Sequence, residues 1–215
     1  TTLEDIWDMY IKTRPNLRDG TTNSYKNLIE NHLSSWLKTP MDEITGEMVS
    51  KKHLDIVDKA KRNKIEKIKK KEEDQEHAEI EIAEKYGYAQ ANKVMRVLRL
   101  LFNYYSVIAD KPVENPVKRL SNTRQWFKVE RKKRIIKATD LGKWYDSVKE
   151  YSNPIVRDYL FLLLFTGLRE REGMKLKWAD VDMNAKTLTI RSEIAKNHQE
   201  HTLPMSPYLY KLFNQ

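Results

Sequence analysis

Apolar residues recur along most of the chain at helical intervals. Leu3, Ile6, Trp7 and Tyr10 stand three and four residues apart, the period that lines one face of an α-helix, so Leu3 to Lys12 is expected to be helical. A turn at Asp19-Gly20 precedes a second stripe of Tyr25, Leu28, Ile29 and Leu33. Thr21 or Thr22 is the expected N-cap there, because a hydroxyl can accept from the first free amides of a helix. A third helix is expected from Thr45, with Met48 and Val49 inward, running past Val57. A fourth lies in "YAQANKVMRVLRLLFNYYSV", where Val94, Val97, Leu98, Leu101 and Tyr105 share a face. Pro112 and Pro116 stop it, since proline removes a donor and restricts the residue before it.

Two stretches break this pattern. Residues 61 to 85 are almost entirely Lys and Glu, with Ile65, Ile68, Ile80 and Ile82 interspersed. Charges that nearly cancel fit a solvated helical insertion held by i,i+4 pairs, or a loosely ordered excursion. Ser121 to Arg134 is polar and strongly basic and reads as an interdomain linker that could lie along a phosphate backbone. A second domain is expected from Ile135. Thr139 would cap a helix carrying Leu141, Trp144, Tyr145 and Val148, and Ile155 to Phe165 is apolar enough for a buried helix. After Trp178 the apolar residues alternate in short runs about turns near Asn184-Ala185 and Asn197-His198. That pattern predicts a small antiparallel sheet, with a last helix from Ser206. The fold class is therefore mainly α. A helical bundle over 1–120 carries the charged insertion at about 61–85, a linker spans 121–134, and an α+β domain covers 135–215.

Charge narrows the choice of partner. Lys and Arg number 40 against 31 Asp and Glu, a formal net charge of +9. Such an excess favours an anionic partner, nucleic acid or an acidic membrane surface, over a basic protein with no such partner. The chain has no cysteine. Disulfides, thiolate metal sites and a Cys nucleophile are thereby excluded, and a reducing compartment fits. The longest apolar stretch, Tyr159 to Phe165, is too short to span a bilayer. No signal peptide is visible, and no membrane partner is expected.

The fourth helix gives this charge a place. Asn92, Arg96, Arg99 and Asn103 fall at i, i+4, i+7 and i+11, opposite the apolar stripe, and Lys93 flanks them. Arg and Lys meet phosphates, and Asn can pair bidentately with adenine, so the strip suits a groove of DNA. The plain alternative is an ordinary wet helix face. Lys26 on the second helix is a further candidate contact. His198 and His201 have no third ligand and make a poor metal pair.

The stretch "TGLREREGMKLKWADVD", followed by "TLTI" and "AKNHQEHTLPMSP", resembles the first half of a tyrosine recombinase catalytic domain of the phage-type integrase branch. That family shows Thr-Gly-Leu-Arg-x-x-Glu, then Leu-x-Trp-x-Asp-Ile/Val-Asp, two strands joined by a turn bearing a lysine, and Pro-Leu/Met-Ser. The first half of the chain is similar to the family's core-binding domain in Thr21 with Tyr25, Ile44-Thr45 with Val49, Ala91 to Phe102, and Glu114-Asn115-Pro116-Val117. The resemblance covers nearly everything except the charged insertion. It turns the fold expectation into a helical core-binding domain followed by a truncated α+β catalytic domain.

The resemblance implies metal-free phosphoryl transfer on double-stranded DNA, with no cofactor. A tyrosine attacks a backbone phosphate, gives a 3′-phosphotyrosine and releases a 5′-hydroxyl. Without a metal, the protein must supply the positive charge, and a planar guanidinium can grip two oxygens at once. Arg169 matches one clamp arginine, Glu172 an acidic position that supports it, and Lys196 the general acid to the leaving oxygen. Arg169 follows Thr166-Gly167, where one helix ends and the next begins, and amides at that start would add partial positive charge. Gly173 departs from the family's bulky apolar residue, and a helix-interior glycine costs about 1 kcal/mol, so this turn is expected to be looser.

The family's His-x-x-Arg and nucleophilic tyrosine have no match up to Gln215, and Tyr208 and Tyr210 come too early to be the nucleophile. The expected function is integration or excision of a mobile element or prophage, with these residues a DNA-binding piece that does not cleave. The alternatives are a non-catalytic DNA-binding module, or a basic helical protein binding RNA or an acidic partner. Self-association on DNA and a cytoplasmic, bacterial or phage setting also follow from the resemblance.

Overall fold

The computed structural model describes residues 1–69, 84–131 and 135–214. Most of the charged run, with Ile80 and Ile82, and the linker residues 132–134 lie outside the described residues. The chain divides into two compact units, Thr1–Arg131 and Lys132–Gln215.

In the first unit α1 (Leu3–Lys12) starts at Thr2 with a reciprocal cap. The Asp5 amide donates to Thr2 Oγ1 at 3.3 Å and the Thr2 amide to Asp5 Oδ2 at 2.8 Å, so two otherwise orphan donors are satisfied. α2 (Asp19–His32) begins earlier than its threonines predict. Arg18 is the N-cap, in extended conformation, and its carbonyl accepts from the Thr21 and Thr22 amides. Both threonines therefore lie within the first turn, and Asp19 supplies the negative charge that suits a helix start. α3 (Gly46–Lys69) starts where expected, with the Met48 amide donating to Thr45 Oγ1 at 3.3 Å. Lys61 to Lys69, the first part of the charged run, continues this helix. α4 (Tyr88–Ile108) and the short α5 (Lys118–Asn122) complete the unit. Leu3, Ile6, Ile29, Val49, Leu98 and Leu120 are among the residues buried in its core. Trp126 and Phe127 also pack against that core, so this part of the expected linker is built into the first unit.

In the second unit α6 (Ala138–Lys149) is entered from Lys137, which puts Thr139 inside the first turn rather than at the cap. α7 (Pro154–Thr166) is capped by Asn153, whose Oδ1 accepts from the Ile155 and Val156 amides at 3.0 and 3.2 Å, with Pro154 at the first helical position. This helix is less buried than its composition suggests. Phe161 and Leu162 are buried, but Ile155 is 78% and Phe165 41% exposed. Its packed side meets Tyr145 of α6 and Tyr208 of α9 (Pro207–Phe213) through aromatic contacts at Phe161.

The five-residue α8 (Glu170–Met174) and a 3₁₀ turn at Trp178–Asp180 lead into the sheet. Its strands are β1 (Val181–Asp182), β2 (Thr187–Ile190) and β3 (His201–Pro204), antiparallel in the order β1-β2-β3 with Leu188 opposite Leu203. Leu188 and Ile190 point inward, and Thr187 and Thr189 are half-buried, the alternation that a half-covered sheet requires. The mainly helical fold with a small antiparallel sheet is the one the sequence predicts. No helix among the described residues is long and apolar enough to cross a membrane.

Candidate active site and basic helix face

The mount for Arg169 is a helix stop followed by a helix start. α7 ends at Gly167 in the left-handed conformation (φ 66°), and the Gly167 amide returns to the Leu163 carbonyl at 3.0 Å. Glycine adopts this conformation without the penalty a Cβ would bring. Thr166 Oγ1 donates to the Leu162 carbonyl at 2.6 Å and accepts from the Leu168 amide at 3.3 Å, which fixes the turn. Leu168 is buried, and Arg169, the N-cap of α8, holds its side chain 62% exposed.

Glu172 organises the site. One carboxylate oxygen accepts from the Arg169 amide at 3.0 Å. The other accepts from the Arg169 guanidinium at 2.9 Å and from the Lys196 amide at 3.2 Å. The carboxylate itself is only 5% exposed. Burial raises its pKa, but the amide and guanidinium of Arg169 and the amide of Lys196 outweigh that effect and hold the carboxyl below the usual glutamate range. Glu172 also fills the N-terminus of α8, so the Arg169 amide expected to face a phosphate is already taken.

Gly173 has a packing reason. A Cβ at this position would lie 2.9 Å from Leu163 Cδ2 and 3.1 Å from Tyr159 Cε2. The glycine lets α8 approach α7 closely, and the Tyr159 hydroxyl donates to the Glu170 carbonyl at 2.7 Å across the same contact. The turn is therefore tight, contrary to the looseness expected of an interior glycine.

Lys196 sits in the loop between β2 and β3, its side chain exposed. The base of that loop is held by Arg191 and Asp180, neither of which is expected from the sequence to have a role. Arg191, just past β2, places Nε 2.7 Å from Oδ1 of buried Asp180 and donates from a terminal nitrogen to the Lys175 carbonyl at 3.2 Å. Asp180 Oδ2 also accepts from the Lys177 amide at 2.9 Å. The Arg191 carbonyl in turn receives the Ile194 and Ala195 amides. Asp180 could have been suspected from the Trp-x-Asp pattern, but Arg191 carries no local signal.

The structure thus brings Arg169, Glu172 and Lys196 together. A guanidinium carries five donors in a fixed fork, and one guanidinium nitrogen of Arg169 is bound to Glu172. The remainder of the fork is open, and Lys196, exposed and joined to the same carboxylate through its backbone amide, brings a second cation, so the three residues carry one positive charge in excess, suited to an anion with several oxygens. Among the described residues no group of three or more His, Cys, Asp or Glu could hold a metal ion. Tyr208 lies in an aromatic cluster with Tyr145, Phe161 and Phe165. Burial, and then a hydrogen bond with Tyr145, push its phenol up to about 12.

On α4 the strip is rearranged. Asn92 is buried, not on the exposed face. Its Oδ1 lies 2.9 Å from His53 Nε2 and accepts from the Phe127 amide at 3.4 Å, while its Nδ2 donates to the Phe127 carbonyl at 2.8 Å. Buried and bonded in this way, the amide is turned into the core and away from the helix's exposed face. Lys93, Arg96, Arg99 and Asn103 are exposed. Arg99 stacks over Trp126 at 5.7 Å, and Asn103 accepts from Asn115 at 2.7 Å. Lys26 is exposed on α2, 3.8 Å from Glu30, so its charge is partly matched.

Residues 127–215 match the model of the phage integrase family. A stretch of 74 residues, 34% of the chain, is 36% identical to the prophage integrase IntF of Escherichia coli (strain K12), and covers 15% of that protein. The fold is similar to the Tn1549 transposon integrase solved with a circular intermediate DNA (TM-score 0.70, 16% identity, 99% of this chain and 64% of that one). It is similar also to a lambda integrase dimer bound to a COC′ core site (TM-score 0.65, 18% identity, 95% of this chain and 62% of that one). A lambda integrase tetramer on a Holliday junction gives a TM-score of 0.66 at 19% identity, over 95% of this chain and 51% of that one.

Proposed function

We propose, from the premise that residues 127–215 belong to the phage integrase family, that this chain binds duplex DNA and presents one backbone phosphate to Arg169 and Lys196 for site-specific recombination. The observation that carries the reading is the single buried carboxylate of Glu172, which fixes the guanidinium of Arg169 and the backbone of Lys196 at once. In this reading Arg169 grips two nonbridging oxygens of the phosphate, and its charge steadies the extra negative charge of the transition state. A tyrosine oxygen, its proton released to solvent, bonds to phosphorus as the bond to the 5′-oxygen breaks, and that 5′-oxygen takes a proton from the Lys196 ammonium. The 3′-phosphotyrosine is then attacked by the 5′-hydroxyl of another strand, which returns the proton and rejoins the DNA.

The attacking tyrosine comes from outside residues 1–215. A phenol at about 12, packed among aromatic rings as Tyr208 is, is poorly placed to ionise, and Tyr210 packs against the core of the second unit, with Lys186 over its ring at 5.3 Å. Residues Thr1–Arg131 act as the DNA-clamping unit, with Lys93, Arg96, Arg99 and Lys26 as its contacts, and Lys132–Gln215 handles the phosphate. Copies of the protein associate on DNA.

Fluorescence anisotropy on a labelled duplex tests the binding. Six phosphate contacts imply about a thousandfold loss of affinity between 50 and 200 mM salt. Affinity indifferent to salt would overturn the reading. Incubation with a nicked suicide duplex should give no covalent adduct, and an adduct formed by residues 1–215 would contradict the assignment of the nucleophile.

A further inference from the structure

Away from the Arg169 site, the C-terminal end of α2, the second half of α3 and the first turn of α4 enclose a groove of about 410 Å³. Lys59, Lys64 and Lys67 line it from α3, His32 from α2 and Gln90 from α4, and among the described residues its lining includes no carboxylate. Among the described residues none of the three lysines has an ion-pair partner; Lys59 only approaches the Asn31 carbonyl, at 3.4 Å. Three ammonium groups around one groove repel one another, and an anion bound between them removes that cost.

The histidine adds an uncharged wall. Gln90 Nε2, an amide nitrogen that can only donate, lies 3.0 Å from His32 Nε2, so that ring nitrogen accepts and the neutral ring carries its proton on Nδ1. His32 Nδ1 is buried and has no hydrogen-bond partner among the described residues. That atom is closed to solvent, so the ring serves as wall of the groove and makes no bond to an anion in it.

The location indicates which anion. Ala89, at the groove, stands at i with Lys93 at i+4 and Arg96 at i+7, so all three lie along one stripe of α4. About 10 Å of helix axis separates Ala89 from Arg96, comparable with the roughly 12 Å width of a major groove. A duplex seated on Lys93 and Arg96 brings a flanking backbone phosphate over the lysines.

We infer that this groove is a phosphate site of the DNA-clamping unit, at which Lys59, Lys64 and Lys67 hold one backbone phosphate beyond the α4 strip. The inference rests on the duplex-binding reading above. It gives the α3 extension a task, lengthening the footprint on DNA by a contact that involves no base.

The test compares residues 1–215 with the triple variant Lys59→Gln/Lys64→Gln/Lys67→Gln, by duplex anisotropy across salt and by hydroxyl-radical footprinting. Loss of one phosphate contact lowers the slope of log K against log salt by about 0.9. From 50 to 200 mM salt the variant should therefore lose about 3.5-fold less affinity than the parent. Protection at the outer edge of the footprint should disappear while the centre stays protected. An unchanged slope overturns the inference and leaves duplex binding standing. Uniform weakening with an unchanged footprint also overturns it, because the lysines then act only as diffuse charge. If the parent shows no salt-dependent duplex binding, both this inference and the reading beneath it fall.

Discussion

Glu172→Gln isolates the carboxylate that joins the two cationic residues. The glutamine keeps the shape but replaces one acceptor oxygen with a donor, which must then face either the Arg169 amide or the pair formed by the Arg169 guanidinium and the Lys196 amide. A buried donor set against a donor costs about 1–3 kcal/mol, and turning the remaining charge-assisted bonds into neutral ones costs about 1 kcal/mol more. The Arg169 side chain is 62% exposed, so the ion pair itself adds less than about 1 kcal/mol. The total is about 2–4 kcal/mol, concentrated where the Lys196 loop meets α8. Hydrogen exchange reads this locally, and protection of the Lys196 amide should fall about 30- to 1,000-fold. The effect depends on pH. The folded pKa of Glu172 is lowered, so its stabilisation is complete above the unfolded carboxyl's pKa of about 4.3 and is lost as pH falls through the lower folded value. The variant should lack this acid-side dependence. Lys196 protection within threefold of the parent at pH 7 would refute the role given to the carboxylate.

Other substitutions separate folding from binding. Asn92→Ala leaves His53 Nε2 and the Phe127 backbone without partners and should destabilise the first unit by about 2–4 kcal/mol in urea unfolding. Arg96→Ala with Arg99→Ala should leave circular dichroism unchanged while lowering the salt slope of duplex binding by about 0.9 for each phosphate lost. Gly173→Ala places a Cβ against Leu163 and Tyr159. The overpacking cost of about 1–3 kcal/mol exceeds the gain in helix propensity of about 1 kcal/mol, so a net loss of up to about 2 kcal/mol is expected in the same unfolding assay. Gly167→Ala meets no atom within 4 Å, and should cost only the left-handed strain of about 1–2 kcal/mol.

The parts of the fold legible in the sequence are those governed by local period. The stripes of α1 and α4 and the alternation in β2 each follow from which residues face a core. The start of α3 was legible because Thr45 caps it. Thr21, Thr22 and Thr139 misled because capping preference reports only that a hydroxyl is available. The chain instead enters both helices earlier, through extended backbone at Arg18 and Lys137. Asn92 misled for a different reason. Its partners His53 and Phe127 lie 39 and 35 residues away, and helical spacing alone cannot distinguish a buried amide from a solvated one. Arg169 and Glu172 were legible as a pair one turn apart. The bond from Glu172 to the Lys196 amide spans 24 residues and depends on how the β2–β3 loop returns to α8.

The inward turn of Asn92 bears on how the first unit is put together. The Trp126–Phe127 stretch joins no helix or strand, and its peptide groups reach α3 and α4 through one carboxamide. That carboxamide ties the stretch to both helices at once. The Phe127 backbone is therefore anchored by an interior side chain, and the basic residues that follow it take no part in that anchor.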